Sequence, residues 1–275
     1  TNTKRIGVWA RYEDVVIKAG GTNVTDLTEY MDNFTPDNTG RALQLSVDKQ
    51  SIKLLPPHSH AICGAEHTDI GDHTGSCEDI VWTAVSTEAD LKSMMSGGSY
   101  YLKNDIELTS TLFVSNINLC LNGFELRQTG NFAVIQPNAG VTLNICDCSE
   151  EQTGTIAGGH NSDGAGIYAS GGSGSTTTVN IYGGNIIDCE FGAGIGLLYD
   201  TTANIYNGKI TGNNGGYGGV YCYYGATLNM YGGEISGNTA SGKAVIAAVA
   251  IKSVQAFKAP FACKINLYIN TKVIK

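Results

Sequence analysis

The sequence has little proline, little charge and no long hydrophobic run. Five of its 275 residues are proline, charged residues make up 15%, and the formal net charge is −8. Such a chain is too apolar to be disordered and does not have the proline-rich pattern of collagen. No apolar stretch reaches the ~18–20 residues that a membrane span needs. The 17 Lys and Arg residues are scattered rather than clustered, so nucleic acid is not an expected partner.

Cysteine is also sparse, and its distribution limits the class of protein. Eight cysteines in 275 residues are too few for a disulfide-dense scaffold. Several fall inside the repeats described next, where buried thiols are the expected state. The chain begins at Thr1 with no Met and no signal-like segment, and the expectation is a mature or trimmed chain that lacks an export signal.

A twelve-residue motif occurs three times. The three copies are TVNIYGGNIIDC (178–189), TANIYNGKITGN (202–213) and TLNMYGGEISGN (227–238). Their asparagines, Asn180, Asn204 and Asn229, are spaced by 24 and 25 residues, and two weaker copies place Asn144 and Asn118 in the same register. The longer gap between Asn144 and Asn180 is assigned to a loop around residues 158–164. A repeat of this length predicts stacked structural units.

The pattern inside each copy indicates strands. Apolar and polar residues alternate, and no helical 3.6-residue period is present. Each period holds three short apolar stretches separated by Gly and Asn, which tolerate the left-handed backbone angles of tight corners. Three short strands per period, stacked about 4.8 Å apart, predict an all-β fold: a right-handed parallel β-helix, or solenoid, of five or six coils over residues 80–242.

The flanking segments are expected to differ from the repeat. The stretch STEADLKSMMSGG (86–98) predicts a short N-terminal capping helix with an apolar stripe of Leu91, Met94 and Met95, ended by Gly97. Residues 1–57 predict a small N-terminal β segment. The repeat ends at Gly242 in this interpretation, and residues 243–275 form a C-terminal cap or tail.

Residues 58–79 are rich in histidine and cysteine. His60, Cys63, His73 and Cys77 have the spacing of a four-ligand structural zinc site, with His58 and His67 as substitutes. A Cys63–Cys77 disulfide and a solvated polar linker are alternatives that spacing alone leaves open. A closed four-ligand site would be structural rather than catalytic.

The polar positions of the repeated strand form a second candidate site. If Leu228 and Met230 point inward, the residues between and beyond them point outward. The outward candidates for contact with a polysaccharide or host glycan are Asn180, Tyr182, Asn204, Tyr206, Asn229 and Tyr231. Tyrosine offers contact area with a polar tip, and amides offer hydrogen bonds. Stacking of identical side chains, with no ligand, explains the same pattern.

No catalytic constellation is apparent. Sugar hydrolysis needs paired carboxylates, and a lyase needs a cation and a base. Lys209 is the single Lys or Arg in residues 152–240, and no two acids there share a position on neighbouring copies. His160 and Asp163 are isolated candidates. We therefore expect a non-enzymatic protein, with a polysaccharide lyase or glycoside hydrolase as the alternative.

The segment GGVYCYYGATLNMYGGEISGNTASG (218–242) resembles the β-helix repeats of large surface proteins of gut Gram-positive bacteria. Residues 58–85 and the strand-like stretch after them resemble the module that introduces such repeats, so the resemblance covers residues 58–240. It implies a pectin-lyase-like fold, export, exposure outside the cell or at its surface, and an adhesin-like role. It carries over no catalytic residue.

Overall fold

The structure, a computed structural model, describes residues 80–241 apart from 150, 161–164 and 173, together with short segments on either side. Those segments are residues 18–19, 22–33, 42–45, 49, 52–55, 58–59, 62, 66–67, 76–77, 249–250, 253–254 and 264–267. The chain divides into two compact units, residues 1–57 with 68–71, and residues 58–67 with 72–275. Within the described segments, no helix has the length and apolar character needed to cross a membrane.

The first unit contains two small antiparallel pairs and a 3₁₀ helix. Its elements are β1 (Lys18–Ala19), β2 (Thr22–Asn23), the 3₁₀ helix Thr28–Asn33, β3 (Ala42–Leu45) and β4 (Ile52–Leu55). β1 pairs with β2, and β3 pairs with β4. Strands are therefore present in this segment, as its alternating apolar residues predict.

The second unit opens with short strands and one α-helix. These are β5 (His58–Ser59), β6 (Glu66–His67), β7 (Ser76–Cys77), β8 (Ile80–Val85), α1 (Glu88–Lys92) and β9 (Ser99–Leu102). β8 runs parallel to β9 and antiparallel to β7. The sheet that carries the repeated motif thus begins before the helix.

In the repeat region the chain passes once through each of three sheets in every period. The strands of one period together form one rung. The first rung holds β10 (Ile106–Leu108), β11 (Leu112–Val114) and β12 (Ile117–Cys120), and the second holds β13 (Glu125–Gln128), β14 (Ile135–Pro137) and β15 (Thr142–Cys146). The third holds β16 (Thr155–Ala157), β17 (Ala165–Ser170) and β18 (Thr177–Ile181), and the fourth holds β19 (Asn185–Ile187), β20 (Ala193–Leu198) and β21 (Thr201–Ile205). The fifth holds β22 (Lys209–Thr211), β23 (Asn214–Gly215), β24 (Gly218–Tyr223) and β25 (Thr227–Met230). Beyond it come β26 (Glu234–Ser236), β27 (Thr239–Ala240), β28 (Val249–Ala250), β29 (Ser253–Val254) and β30 (Lys264–Leu267).

Parallel sheets dominate the described part of the fold, and helix is almost absent. Sheet A joins β10, β13, β16, β19, β22 and β26 in parallel, with β28 and β29 added antiparallel. Sheet B joins β11, β14, β17, β20 and β24, and sheet C runs from β7 through β8, β9, β12, β15, β18, β21 and β25 to β30. The protein is all-β, and this strand order is compatible with a parallel β-helix.

The pairing confirms the register read from the sequence. Asn118, Asn144, Asn180, Asn204 and Asn229 are consecutive partners along sheet C. The twelve extra residues between Asn144 and Asn180 were predicted to lie in the loop around residues 158–164, and this prediction was only partly right. Six of the twelve lie in the loop before β16, two lie before β17 and four lie before β18, so the loop around residues 158–164 takes the smallest share.

The core is a set of aliphatic columns inside the three sheets. In sheet A each rung contributes one branched residue, and all six are at most 4% exposed: Ile106, Leu126, Ile156, Ile186, Ile210 and Ile235. Burial of each such side chain is worth roughly 1.5–3 kcal/mol. The columns therefore hold successive rungs in one register, because a slip of one residue would expose them.

Asparagines stack at the corner position that Cys189, Asn213 and Asn238 share. The Asn213 side chain accepts a hydrogen bond from the Cys189 backbone N–H at 3.1 Å, and Asn238 accepts from the Asn213 backbone N–H at 3.0 Å. The Asn213 amide also donates to the Ile186 carbonyl at 2.9 Å. Each corner thus satisfies backbone groups of the rung beside it.

The helix before the repeat is shorter than predicted. Thr87 caps α1 in a capping box with Asp90, and Leu91 is buried in the core. α1 ends at Lys92, so Met94 and Met95 lie beyond it. Met94 packs against the core, but Met95 is exposed. The predicted three-residue stripe was therefore wrong at Met95.

The repeat does not end at Gly242 in sheet C. β30 pairs in parallel with β25 and aligns Asn266 with Asn229. The sequence KINLY (264–268) is a further copy of the strand motif. The segment expected to be only a cap or tail therefore contributes a strand to the sheet.

Candidate functional site

The asparagines of sheet C form a hydrogen-bonded ladder. Asn144 donates from Nδ2 to Asn118 Oδ1, Asn180 to Asn144, Asn204 to Asn180 and Asn229 to Asn204, all at 2.7–2.8 Å. Asn118 closes the ladder on Ser99 Oγ at 2.8 Å. These amides engage their neighbours on adjacent rungs, so a large part of their hydrogen-bonding capacity serves the fold.

We expect Asn204→Ala to lower the free energy of unfolding by about 1–3 kcal/mol, because two half-buried amide–amide bonds are lost together. Chemical denaturation followed by circular dichroism measures the change. Asn207→Ala is the matched control, since its amide makes one exposed bond, to Gln152 at 3.2 Å. Equal effects of the two substitutions would contradict a stabilising ladder.

The three predicted tyrosines form a stacked column. The rings of Tyr182 and Tyr206 lie 4.7 Å apart at 4°, and those of Tyr206 and Tyr231 lie 4.9 Å apart at 9°. Tyr206 is 40% exposed and Tyr231 38% exposed. Because the ring faces cover each other, the column presents ring edges and hydroxyl groups to solvent.

A glycine follows each tyrosine of the column by two residues. Gly184, Gly208 and Gly233 have φ angles of 94°, 99° and 78°, a region that favours glycine. The Gly184 carbonyl accepts from the Lys209 N–H at 3.0 Å, and the Gly208 carbonyl from the Glu234 N–H at 2.9 Å. Closely stacked glycines leave this corner without side chains.

The glycine corner is the floor of a groove of about 410 Å³. The side chains that line it are Glu151, Gln152, Asn185, Asn207, Lys209 and Glu234. Lys209 and Glu234 are partners on neighbouring rungs. The groove begins one residue beyond Tyr206, so amides, a cation and two carboxylates lie beside the tyrosine column.

The sequence did not predict this groove. Glu151 and Gln152 belong to the long loop before β16, whose length was assigned elsewhere. The Tyr-x-Gly spacing of the three repeats was the signal that could have found it, because a glycine kept at one position of every copy indicates a corner without room for a side chain.

A second group of tyrosines lies on and directly beside the strands β17, β20 and β24 of sheet B. This tyrosine patch consists of Tyr168, Tyr199, Tyr217, Tyr221, Tyr223 and Tyr224. Tyr221 stacks on Tyr217 at 4.1 Å and lies 5.9 Å from Tyr223, which meets Tyr199 edge-on at 5.9 Å. Burial, followed by the neighbouring phenols, raises the pKa of Tyr221, so its hydroxyl stays neutral at physiological pH.

The patch encloses a smaller hollow of about 130 Å³. Register places Gly196 between Tyr168 on the rung before it and Tyr221 on the rung after it. Tyr217, Tyr221 and Tyr168 line the hollow together with small residues such as Ala193. The missing side chain at Gly196 is what leaves the space open.

Three cysteines lie close together at the C-terminal ends of β12 and β15 in sheet C. The sequence did not predict this cluster. Cys120 and Cys146 are buried and Cys148 is half-buried, all as thiols, and the sulfurs of Cys120 and Cys148 lie 2.6 Å apart. Contact with Cys120 and burial raise the pKa of Cys146. The cluster packs with Trp82 and Tyr101, and the raised pKa of Cys146 favours its neutral thiol.

Asp147, between two of these cysteines, organises the long loop before β16. It is 4% exposed, and its carboxylate accepts from the backbone N–H groups of Gly123 at 2.9 Å, Ser149 at 3.1 Å and Gly154 at 2.6 Å. Burial raises its pKa, while the N–H groups of Ser149 and Gly154 pull that pKa down. The carboxylate is thus a structural anchor for the loop that supplies Glu151 and Gln152.

Most of the predicted metal site lies outside the described residues, since His60, Cys63 and His73 all do. Of the substitutes, His58 and His67 are direct partners in the β5–β6 pair. Among the described residues no group of metal-ligating side chains forms a cation site. Zinc at His60, Cys63, His73 and Cys77 stays a prediction.

The isolated catalytic candidates are His160 and Asp163. His160 Nδ1 lies 3.5 Å from Glu190 Oε2 at the surface, and Asp163 is outside the described residues. His160 also lies beside Phe191, with ring centroids 6.4 Å apart. The contacts with Glu190 and Phe191 account for the position of His160 at the surface.

Comparison with known proteins found no matching family model, no matching curated protein and no matching solved structure. Function is therefore inferred from the chemistry of the surfaces described above.

Proposed function

We propose that this chain is a non-enzymatic, adhesin-like β-helix scaffold that binds a glycan along the groove beside Tyr182, Tyr206 and Tyr231. The observation that carries the proposal is the groove itself, about 410 Å³ in volume and lined by amides and charged groups next to exposed phenols. Concave sites with a few convergent polar groups are the usual places where ligands bind.

The groove crosses several rungs, and its side chains differ from rung to rung, because Asn185, Lys209 and Glu234 are register partners. Rungs stack about 4.8 Å apart, close to the length of one pyranose residue in an extended polysaccharide. Asn185 and Asn207 occupy corners of successive rungs, and each amide can donate to and accept from hydroxyl groups. A chain of sugars lying along the stack would therefore meet an amide, a cation and a carboxylate on successive rungs.

The proposal includes a right-handed coil with α1 as its N-terminal cap. Parallel crossover connections are right-handed in nearly all proteins. α1 buries Leu91 in the same core cluster as Leu108 and Leu112 of the first rung. A cap at this position would keep water from the end of the aliphatic columns.

An extracellular or cell-surface location is part of the proposal, as is membership of the surface β-helix group that the repeats resemble. Cys222 is disulfide-bonded, and disulfides persist in oxidising compartments. A surface scaffold of this kind would present the groove to host or bacterial glycans.

A glycan array followed by titration of the best hit tests the proposal. We expect Tyr206→Ala to weaken binding about tenfold or more, because loss of a contact worth ~1.4 kcal/mol changes affinity tenfold. Phe113→Ala is the control, since Phe113 is 62% exposed and lies on sheet B. No binding to any glycan, or equal binding by wild type and Tyr206→Ala, would overturn the proposal.

A polysaccharide lyase or glycoside hydrolase is the second candidate, favoured by the presence of Lys209 and two glutamates in one groove. In a lyase Lys209 would neutralise a uronate carboxylate, and Glu151 or Glu234 would take the proton. Incubation with polygalacturonate and alginate, with ultraviolet detection of unsaturated ends and a separate assay for reducing ends, tests it. Product formation that Lys209→Ala abolishes would favour the lyase, and absence of product would favour the scaffold.

A further inference from the structure

The geometry points to a covalent modification site, a disulfide between Cys120 and Cys148 that forms by exchange with an external disulfide and links two neighbouring rungs. The sulfurs of the two residues lie 2.6 Å apart. An S–S bond measures about 2.05 Å, so a shift of about half an ångström brings the two atoms to bonding distance. The inference concerns the other end of sheet C from β30 and does not depend on glycan binding.

Cys120 is the thiol that the other two cysteines of the cluster share. Cys120 and Cys146 are register partners at the ends of β12 and β15, and their side chains are in contact. Cys148 lies two residues further along, beyond the end of β15, and its sulfur also contacts that of Cys120. One disulfide at most can therefore form among the three residues.

The strand geometry favours Cys148 over Cys146 as the partner. Register partners on parallel strands keep their Cβ atoms at the strand spacing of about 4.8 Å, whereas a disulfide needs about 3.5–4.5 Å between its Cβ atoms. Cys148 lies outside the strand, so the strand spacing does not hold it away from Cys120. Cys146 is also only 1% exposed, and it remains the third, unoxidised thiol.

The chemistry is two successive thiol–disulfide exchanges with oxidised glutathione or with the active disulfide of an oxidoreductase. Cys148 is half-buried while the other two cysteines are buried, so its thiol reacts first, attacking one external sulfur, releasing one external thiol and leaving a mixed disulfide. Cys120 then attacks the Cys148 sulfur, forms the internal bond and releases the second external thiol. Two protein thiols are oxidised, one external disulfide is reduced, and both protons end on the released thiols.

Both the oxidant and the rate fit what is known of the chain. Cys222 is disulfide-bonded, and disulfides persist in compartments that supply such an oxidant. Burial, followed by contact with Cys120, raises the pKa of Cys148. Because the thiolate is the attacking species, the raised pKa slows the first exchange without changing its product.

The bond would close residues 120–148, one coil of the solenoid, into a ring. It would tie the start of the loop before β16 to β12, beside the hydrogen bonds that Asp147 accepts from Gly123 and Gly154. A cross-link stabilises the fold mainly by restricting the unfolded chain. Because each rung of a solenoid contacts only its neighbours, this link would hold the first two rungs together.

Peptide mapping of the full chain tests the pairing. The protein is incubated with oxidised glutathione, the remaining thiols are blocked with N-ethylmaleimide in denaturant, and the chain is cut by trypsin and by endoproteinase Asp-N. Cleavage after Arg127 and before Asp147 puts the three cysteines on separate peptides, residues 105–127, 128–146 and 147–162. We expect the first and third peptides to be joined and Cys146 to be blocked. A link between the first and second peptides, a glutathione adduct that persists on Cys148, or blocking of all three cysteines would overturn the inference.

Thermal unfolding measures the effect of the bond with two matched variants. Cys120→Ala and Cys146→Ala each remove a buried thiol that is at most 1% exposed, but only Cys120→Ala removes the proposed bond. After oxidation Cys120→Ala should unfold about 5–10 °C below Cys146→Ala, and the difference should disappear in dithiothreitol, because neither reduced variant holds the bond. Equal unfolding temperatures of the two oxidised variants would contradict the inference. The peptide map of wild type decides the pairing even if a variant does not fold, and neither result bears on glycan binding.

Discussion

Replacing Gly208 with alanine should lower the free energy of unfolding by roughly 3–5 kcal/mol. Gly208 has φ 99°, and a Cβ there would lie 2.5 Å from the carbonyl oxygen of Gly184. That carbonyl already accepts the Lys209 N–H at 3.0 Å. Relief of the clash must move backbone on two rungs and weaken this bond, and the left-handed strain adds to the overpacking cost.

Gly212→Ala separates the two contributions. Gly212 also has a positive φ, 68°, but no atom lies within 4 Å of the position that a Cβ would occupy there, so only conformational strain of about 1–2 kcal/mol applies. Denaturant unfolding followed by circular dichroism gives both values. A loss in Gly208→Ala no greater than that in Gly212→Ala would show that rungs do not approach closely at this corner.

The sequence alone was sufficient to predict the stacking register. Alternation in the strand motif has a period of two, so the aliphatic positions of each copy must face one side. Asn118 and Asn144 therefore aligned with the stronger copies even though their surroundings differ, and the pairing of sheet C confirms both.

Loop lengths and strand ends were harder to predict, because neither depends on periodicity. The twelve extra residues between Asn144 and Asn180 could be placed in any corner without changing the core. β30 was not predicted because Lys264 replaces the usual threonine and 37 residues separate Asn266 from Asn229.

The sequence predicted the tyrosine column of sheet C but not the hollow of sheet B, and the difference has a physical reason. Tyr182, Tyr206 and Tyr231 repeat at one motif position, so their column follows from the register. The hollow needs Tyr217, which lies outside the strands, and a glycine that breaks the series Tyr168, Gly196, Tyr221. Alignment of the copies finds residues that are identical from rung to rung, whereas the hollow depends on Gly196, which differs from its register partners.

Asp147→Ala should lower the free energy of unfolding by about 2–4 kcal/mol. Three backbone N–H groups, of Gly123, Ser149 and Gly154, lose their acceptor at once. The N–H of Gly154 is buried and those of Gly123 and Ser149 are partly buried. A buried donor left without a partner costs about 1–3 kcal/mol and a partly buried one costs less, and release of the poorly solvated carboxylate offsets part of the total. The loop before β16 would loosen, and the groove would lose its fixed positions for Glu151 and Gln152.

Asp105→Ala is the matched control for this effect. Asp105 also accepts one backbone N–H across a rung, from Glu125 at 2.7 Å, but it is exposed, so water can replace it at a cost of about 1 kcal/mol. Hydrogen exchange measured by mass spectrometry should show faster exchange at residues 147–154 in Asp147→Ala and no such change in Asp105→Ala. Unchanged protection of that loop would mean that Asp147 does not anchor it, since the three N–H groups exchange slowly only while the carboxylate holds them.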